Sequence, residues 1–286
     1  MYRNRKVTVI IPALNEAPSI GLVLDGLLAL EAEDNTSFDA DGLQQPDKAG
    51  GKLIDEIVLC DNGSTDETAA IAIARGALVV EEPEAGYGAA CLAALGAATD
   101  KDIVVFVDGD HSVEAKELPG LIEPLIGGAD LVIGSRTLGR CEKGALSIPQ
   151  HIGNRLASSM MRLLWRANVT DLGPFRAVTN EALSAIAMTD RRFGWTVEMQ
   201  VRAYQLKQHV VEIPVSTRKR IGKSKIGGTV KGVIGASHGI LGTIFKLYLR
   251  QLKQSMHMSR SVDTTDALET EERLSVPVLQ RSRKQL

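Results

Sequence analysis

The sequence predicts an α/β domain in which a central, mostly parallel sheet carries helices on both faces. Three observations predict it. Short apolar runs rich in β-branched residues recur at 7–11, 54–60, 77–81, 103–107 and 130–133, each too short for a core helix. Segments of helical length alternate with them, and a strict β-α-β-α order requires crossover connections between parallel strands. The second and fourth runs end in acids, Asp61 and the pair Asp108 and Asp110, which places these carboxylates on one edge of the sheet. That edge, at the carboxyl ends of the strands, is where open α/β sheets bind ligands.

Composition bounds the partners. With 286 residues, the chain is long enough for one large domain with a sizeable core. A hydrophobic content of 44% and a net charge of -2 fit a soluble globular protein, with no basic excess to favour nucleic acid. Aromatic residues make up 4%, which leaves little stacking surface for single-stranded bases. Cys60, Cys91 and Cys141 form no CxxC pair, and their odd number argues for a reducing compartment over a disulfide framework. The apolar stretch after Arg3, Arg5 and Lys6 is interrupted by Pro12 and Asn15, so it reads as a strand and not a signal peptide. No uncharged apolar stretch reaches the roughly eighteen residues of a membrane span.

Strand one ends at Pro12, which lacks the N–H needed to continue its ladder. Asn15 and Glu16 open a helix at about 18–30, where capping alone could account for them. Residues 31–52 are acidic, contain Gly and Pro and lack any period, and read as a flexible surface insertion. After strand two, Ser64 or Thr65 with Glu67 resembles an N-cap for an alanine-rich helix ending at Arg75, which leaves Asp61 unexplained. After strand three, Gly86-Tyr87-Gly88 opens a helix ending near Ala98, with backbone amides suited to a phosphate. Asp108-Gly109-Asp110 is either an ordinary turn or a pair of carboxylates held together by a hard divalent cation. His111 could join such a cation or remain a solvated loop histidine. A helix follows at about 114–126.

The second half is less periodic. Residues 136–149 form a basic, glycine-containing loop able to close over phosphates. A helix at about 150–165 carries Asn154 and Arg155 near its start. Asp171 and Arg176 flank a Gly173-Pro174 turn, where Asp171 could simply pair with an arginine. Glu198 lies one turn into a helix at 195–207. Arg218, Lys219, Arg220, Lys223 and Lys225 crowd one short segment, as a solvated loop, a nucleic-acid patch or a diphosphate clamp would. Residues 228–252 read as an amphipathic helix, for the core, a dimer interface or a membrane surface, and the polar tail from about 255 reads as disordered.

Taken together, VIIPALNEAPSI, VLCDNGSTDETAAIA, GYGAACLAALGAA, VVFVDGDHS and VIGSR resemble family 2 glycosyltransferases of the GT-A fold. DLGPFRA, GWTVEMQVRA and IPVSTRKRIGKSKIGGT are similar to the branch of dolichol-phosphate mannose and glucose synthases. The resemblance spans about residues 6–230. It implies that Pro12, Asn15 and Glu16 line a nucleotide pocket with Gly86, and that Asp61 binds the base or ribose. It implies that Asp108 and Asp110 hold Mg²⁺ or Mn²⁺ on the donor diphosphate. It implies further that Arg136, Arg220 and Lys225 meet phosphates, and that Glu198 or Asp171 is the acceptor base. Asp61-Asn62-Gly63-Ser64 departs from the family's Asp-Asp-Gly-Ser.

The expected activity is therefore inverting transfer of a hexose from a UDP-glucose or GDP-mannose type donor, by one direct displacement, to a polyprenyl phosphate. A soluble hydroxyl acceptor is the alternative. For a phosphate acceptor, already anionic, Glu198 and Asp171 would position and not deprotonate. A nucleotidyltransferase would need a glycine-rich, lysine-bearing loop after strand one, which 12–16 is not. A non-catalytic sugar-nucleotide-binding protein would have no need of so complete a set of acids and cations. The expected organisation is a catalytic domain over 1–228, a helical segment over 229–254 and a tail over 255–286. The chain is expected in the cytoplasm, with contact at the inner membrane face and homodimerisation open.

Overall fold

A computed structural model describes residues 2–31, 36–38, 44–46, 51–99, 101–222 and 239–255. The chain divides into two compact units, 1–244 and 245–286. The larger is built on a seven-stranded sheet. In chain order its elements begin with β1 (Val7–Ala13) and α1 (Ala17–Leu28), followed by a small hairpin of β2 (Thr36–Phe38) and β3 (Gln44–Pro46). Next come β4 (Glu56–Asp61), α2 (Thr68–Ala74), β5 (Leu78–Glu81), α3 (Tyr87–Ala97) and β6 (Ile103–Phe106). They continue with α4 (Leu118–Ile126), β7 (Leu131–Ser135), α5 (Ile148–Trp165), β8 (Arg176–Thr179), α6 (Asn180–Ile186), α7 (Trp195–Gln205) and β9 (Val210–Pro214).

The strand order is β5-β4-β1-β6-β8-β7-β9. β1 pairs in parallel with β4 on one side and β6 on the other, so the winding reverses at β1 and opens a crevice at its carboxyl end. Alternation along the strands divides the core. Val7, Val9, Ile11, Val105 and Val107 face α1 and α4, whereas Ile10, Val104 and Phe106 face α3, α6 and α7. Burial on both faces explains why these strands read as continuous apolar runs.

The sheet departs from strict alternation at β8, which runs antiparallel between β6 and β7. The sequence expectation held only a turn there, because Arg176 begins the strand where an apolar residue is the usual signal. β9 and α6 were also not foreseen, and residues 31–52 contain the β2–β3 pairing where only an aperiodic insertion was expected. Ser64 and Thr65 do not cap α2. The N-cap position is Glu67, whose side chain makes no capping bond, and Asp66 before it accepts from the Thr68 N–H at 3.1 Å and from the Thr68 hydroxyl. Residues 239–244 are helical in the larger unit, and 245–255, the described part of the smaller, are helical with Phe245, Leu249 and Leu252 exposed. The boundary expected at 228/229 lies outside the described residues, as does the tail beyond 255. No described helix is long and apolar enough to cross a membrane. All three cysteines are free.

Candidate active site

The crevice at the end of β1 holds a cavity of about 380 Å³. Pro12, Glu16, Gly86, Asp108, Asp110 and Arg220 line it, together with Asn62, Tyr87, Arg192 and Phe193. Its walls are loops tied to one another by side chains. The Asn15 side-chain carbonyl accepts from the Thr65 N–H at 2.7 Å, and the Asn15 N–H donates to the Ser64 hydroxyl at 2.8 Å. Asn62 spans the next gap, donating to the carbonyls of Glu82 and Glu84 and accepting from the Gly86 N–H at 2.8 Å. This amide does what an acid could not, because it donates and accepts at once. Asn15 and Asp61 border the cavity without being among its lining residues, and Asp61 accepts from the Ser64 N–H at 3.0 Å.

Gly86 lines the cavity, and with Gly88 it also makes room for a neighbouring segment. A Cβ on Gly86 would lie 2.2 Å from the Arg191 carbonyl oxygen, and one on Gly88 would lie 2.0 Å from that of Asp190. The Gly88 and Ala89 amides donate to the carbonyls of Arg192 and Arg191 at 3.2 and 2.8 Å. These helix-opening amides are therefore occupied, and the glycines allow the 190–192 segment to approach.

The acid pair sits at the cavity floor. Burial, and then the charge of Asp110, push the Asp108 carboxyl up to about 7, against a Tyr87 hydroxyl donated to it at 3.1 Å. Arg220 offsets the repulsion, reaching Asp110 at 3.0 Å and Glu16 at 3.4 Å, while its buried Nε has no hydrogen-bond partner among the described residues. Among those residues, no cluster of three or more histidines, cysteines or acids exists that could hold a metal. Two carboxylates fit Mg²⁺ or Mn²⁺, which take few protein oxygens and complete their shell with phosphate and water. The orphaned arginine N–H beside them fits a phosphate oxygen. His111 lines a separate cavity with Val113 and Phe175. Lys225 lies outside the described residues.

Both candidate bases are fully engaged. Asp171, completely buried, is gripped through both oxygens by the Arg136 guanidinium at 2.7 and 2.8 Å and by its backbone N–H at 2.7 Å. Burial alone would raise its pKa, but the hydrogen bonds and charge of Arg136 outweigh burial and hold it below the ordinary carboxylate range. Glu212, unforeseen, secures the preceding turn by accepting from the Thr170 and Asp171 amides. Glu198 is 3% exposed and accepts from the Thr189 hydroxyl at 2.6 Å and the Thr189 and Asp190 amides at 2.9 and 2.6 Å, with Arg202 at 3.5 Å. It does not line the cavity; it shapes the segment that packs on Gly86 and Gly88. Arg176, completely buried, donates to the carbonyls of Leu172, Gly173 and Thr196, which joins the Asp171 turn to α7.

A mixed sheet with an acid-lined cavity at its switch point is the GT-A architecture. The chain belongs to glycosyl transferase family 2, whose model matches residues 8–186. An uncharacterized glycosyltransferase of Mycobacterium tuberculosis is 37% identical over 231 residues, 80% of this chain and 93% of that one. Dolichyl-phosphate hexose transferase of Haloferax volcanii is 33% identical over 172 residues, 59% of this chain and 73% of that one. Undecaprenyl-phosphate mannosyltransferase of Micrococcus luteus is 27% identical over 243 residues, covering 79% and 90%. Among solved structures, glucosyl-3-phosphoglycerate synthase of Mycobacterium tuberculosis, crystallised with Mn²⁺, UDP and glucosyl-3-phosphoglycerate, superposes with a TM-score of 0.65 at 23% identity. That match covers 85% of this chain and 80% of the synthase, a likeness of fold.

Proposed function

We propose that this chain transfers a hexose from a nucleotide sugar to a polyprenyl phosphate with inversion. The observation that carries the acceptor class is the engagement of both acids. Asp171 is locked to Arg136, and Glu198 is locked to Thr189, Asp190 and Arg202. A hydroxyl acceptor needs a base within reach of its proton, whereas a phosphate acceptor arrives already anionic. Two relatives are named for polyprenyl-phosphate acceptors.

In this reading the nucleoside lies against Pro12, Glu16 and Asn62, with Asp61 assigned to base or ribose. Asp108 and Asp110 hold Mg²⁺ or Mn²⁺, which when bound stabilises the charge developing on the leaving diphosphate. Arg220 exchanges its contact with Asp110 for a diphosphate oxygen, and Lys225 is assigned the same partner. Arg136, positioned by Asp171, attracts the acceptor phosphate. The catalytic unit is taken as 1–228, followed by 229–254 and 255–286. The reading is tested by incubating the full chain and Mn²⁺ with radiolabelled UDP-glucose or GDP-mannose and either undecaprenyl phosphate or 3-phosphoglycerate. Label entering the organic phase supports it. Label entering only the water-soluble acceptor contradicts it in favour of the soluble alternative.

A further inference from the structure

We propose that the outward face of α5 is a docking surface for an anionic lipid bilayer. The inner side of α5 rests on the domain through Ala157, Ser158 and Met161, all buried. On the opposite side, Ile148, Ile152, Leu156 and Leu163 are 76, 63, 46 and 81% exposed. At about 100° per residue these four share an arc about 80° wide. Packing within the domain gives no reason for such a stripe, and a contiguous exposed apolar row marks an interaction surface.

Charge identifies the partner. Arg155 and Arg162 run along one border of the stripe and Arg166 follows the end of the helix; all three are exposed, and none pairs with a carboxylate among the described residues. From 137 to 166 the chain carries Arg140, Lys143 and these three arginines against the single acid Glu142. An apolar stripe bordered by arginines fits a helix lying in the interface of an anionic membrane, apolar side among the acyl chains and guanidinium groups among the headgroups. A second copy of the chain fits worse, because a two-fold axis would set the same row of arginines against itself. The surface also lies close to the chemistry. Asn154 of α5 accepts from the Leu172 N–H at 2.8 Å and donates to the Thr170 carbonyl at 3.3 Å, bracketing the Asp171 that holds Arg136. This goes beyond the acceptor reading, since the face is defined without reference to the reaction.

The test is sedimentation of the full chain with vesicles of phosphatidylcholine alone or mixed with phosphatidylglycerol. The parent should bind only the mixed vesicles. Ile152→Asp/Leu163→Asp and, separately, Arg155→Glu/Arg162→Glu should each weaken binding by about tenfold or more, with Mn²⁺-dependent donor binding unchanged. Vesicle binding equal to that of the parent in both variants overturns the proposal, even if undecaprenyl phosphate in detergent is an acceptor. A dimer that the apolar variant converts to monomer by light scattering, with vesicle binding intact, overturns it in favour of a second copy. Selective loss of vesicle binding supports it even if no lipid acceptor is ever found, in which case the reading of the chemistry fails by itself.

Discussion

At the residue scale, the least comfortable group is Asp108, and its discomfort has a measurable sign. Its carboxyl is raised to about 7 by burial and Asp110, and a cation binds the deprotonated form. Mn²⁺-dependent donor affinity should therefore fall as pH drops below about 7, approaching about tenfold per pH unit. Tyr87→Phe removes a hydrogen bond that favours the ionised acid, so calorimetry on that variant should find the fall displaced to higher pH. Asp110→Ala should abolish metal-dependent donor binding altogether; unchanged metal dependence would remove this pair from the site. Asp171 has the opposite sign. Its folded pKa is depressed, so its stabilisation is present above the ordinary carboxylate range and is lost as pH falls through the folded value. Asp171→Ala strands Arg136 in a partly buried site and should cost about 3–5 kcal/mol in denaturant unfolding. The pairing was legible in the sequence as one of two readings for Asp171. Which arginine it meets was not, because Arg136 lies 35 positions away, just past the end of β7.

At the scale of elements, β1, β4, β6 and β7 were legible because burial on both faces makes each one a continuous apolar run. β8 was not, because its first residue is a charged Arg176 whose guanidinium is satisfied by carbonyls that only the folded chain assembles. The glycine-rich opening of α3 was legible, and Gly86 lines the cavity, but the amides of Gly88 and Ala89 that looked open to a phosphate meet Arg192 and Arg191 in the 190–192 segment. Gly88→Ala would place a methyl 2.0 Å from a backbone oxygen and should cost about 1–3 kcal/mol, read as a lowered Tm. Glu198→Gln should slow turnover by loosening that same segment. If it positions and does not deprotonate, the variant keeps the acid limb of the kcat/KM profile, whereas a true base would take that limb with it.

At the scale of the molecule, the sheet brings three loops to one edge, and asparagine side chains bind them into a single wall. Asp108 and Asp110 were legible at this edge because two carboxylates so close in sequence repel each other and make a poor plain turn. The ties among the loops were not, because Asn15 and Asn62 look like ordinary turn residues until their partners, about fifty and twenty positions away, are in place. The free thiols offer a check on the packing as a whole. Burial, with nearby acids, pushes Cys60 up to about 12, and burial raises Cys91 as well, so alkylation of the native chain should label Cys141 first.

In the proposed reaction the acceptor brings its own negative charge, since both candidate bases are engaged in holding the fold. The most direct measurement compares transfer to undecaprenyl phosphate with transfer to undecaprenol, the same lipid ending in a hydroxyl, under one donor and one metal. Transfer to the phosphate and none to the alcohol is expected. Equal transfer to both would require a base that neither Asp171 nor Glu198 is placed to supply, and would contradict the proposed reaction.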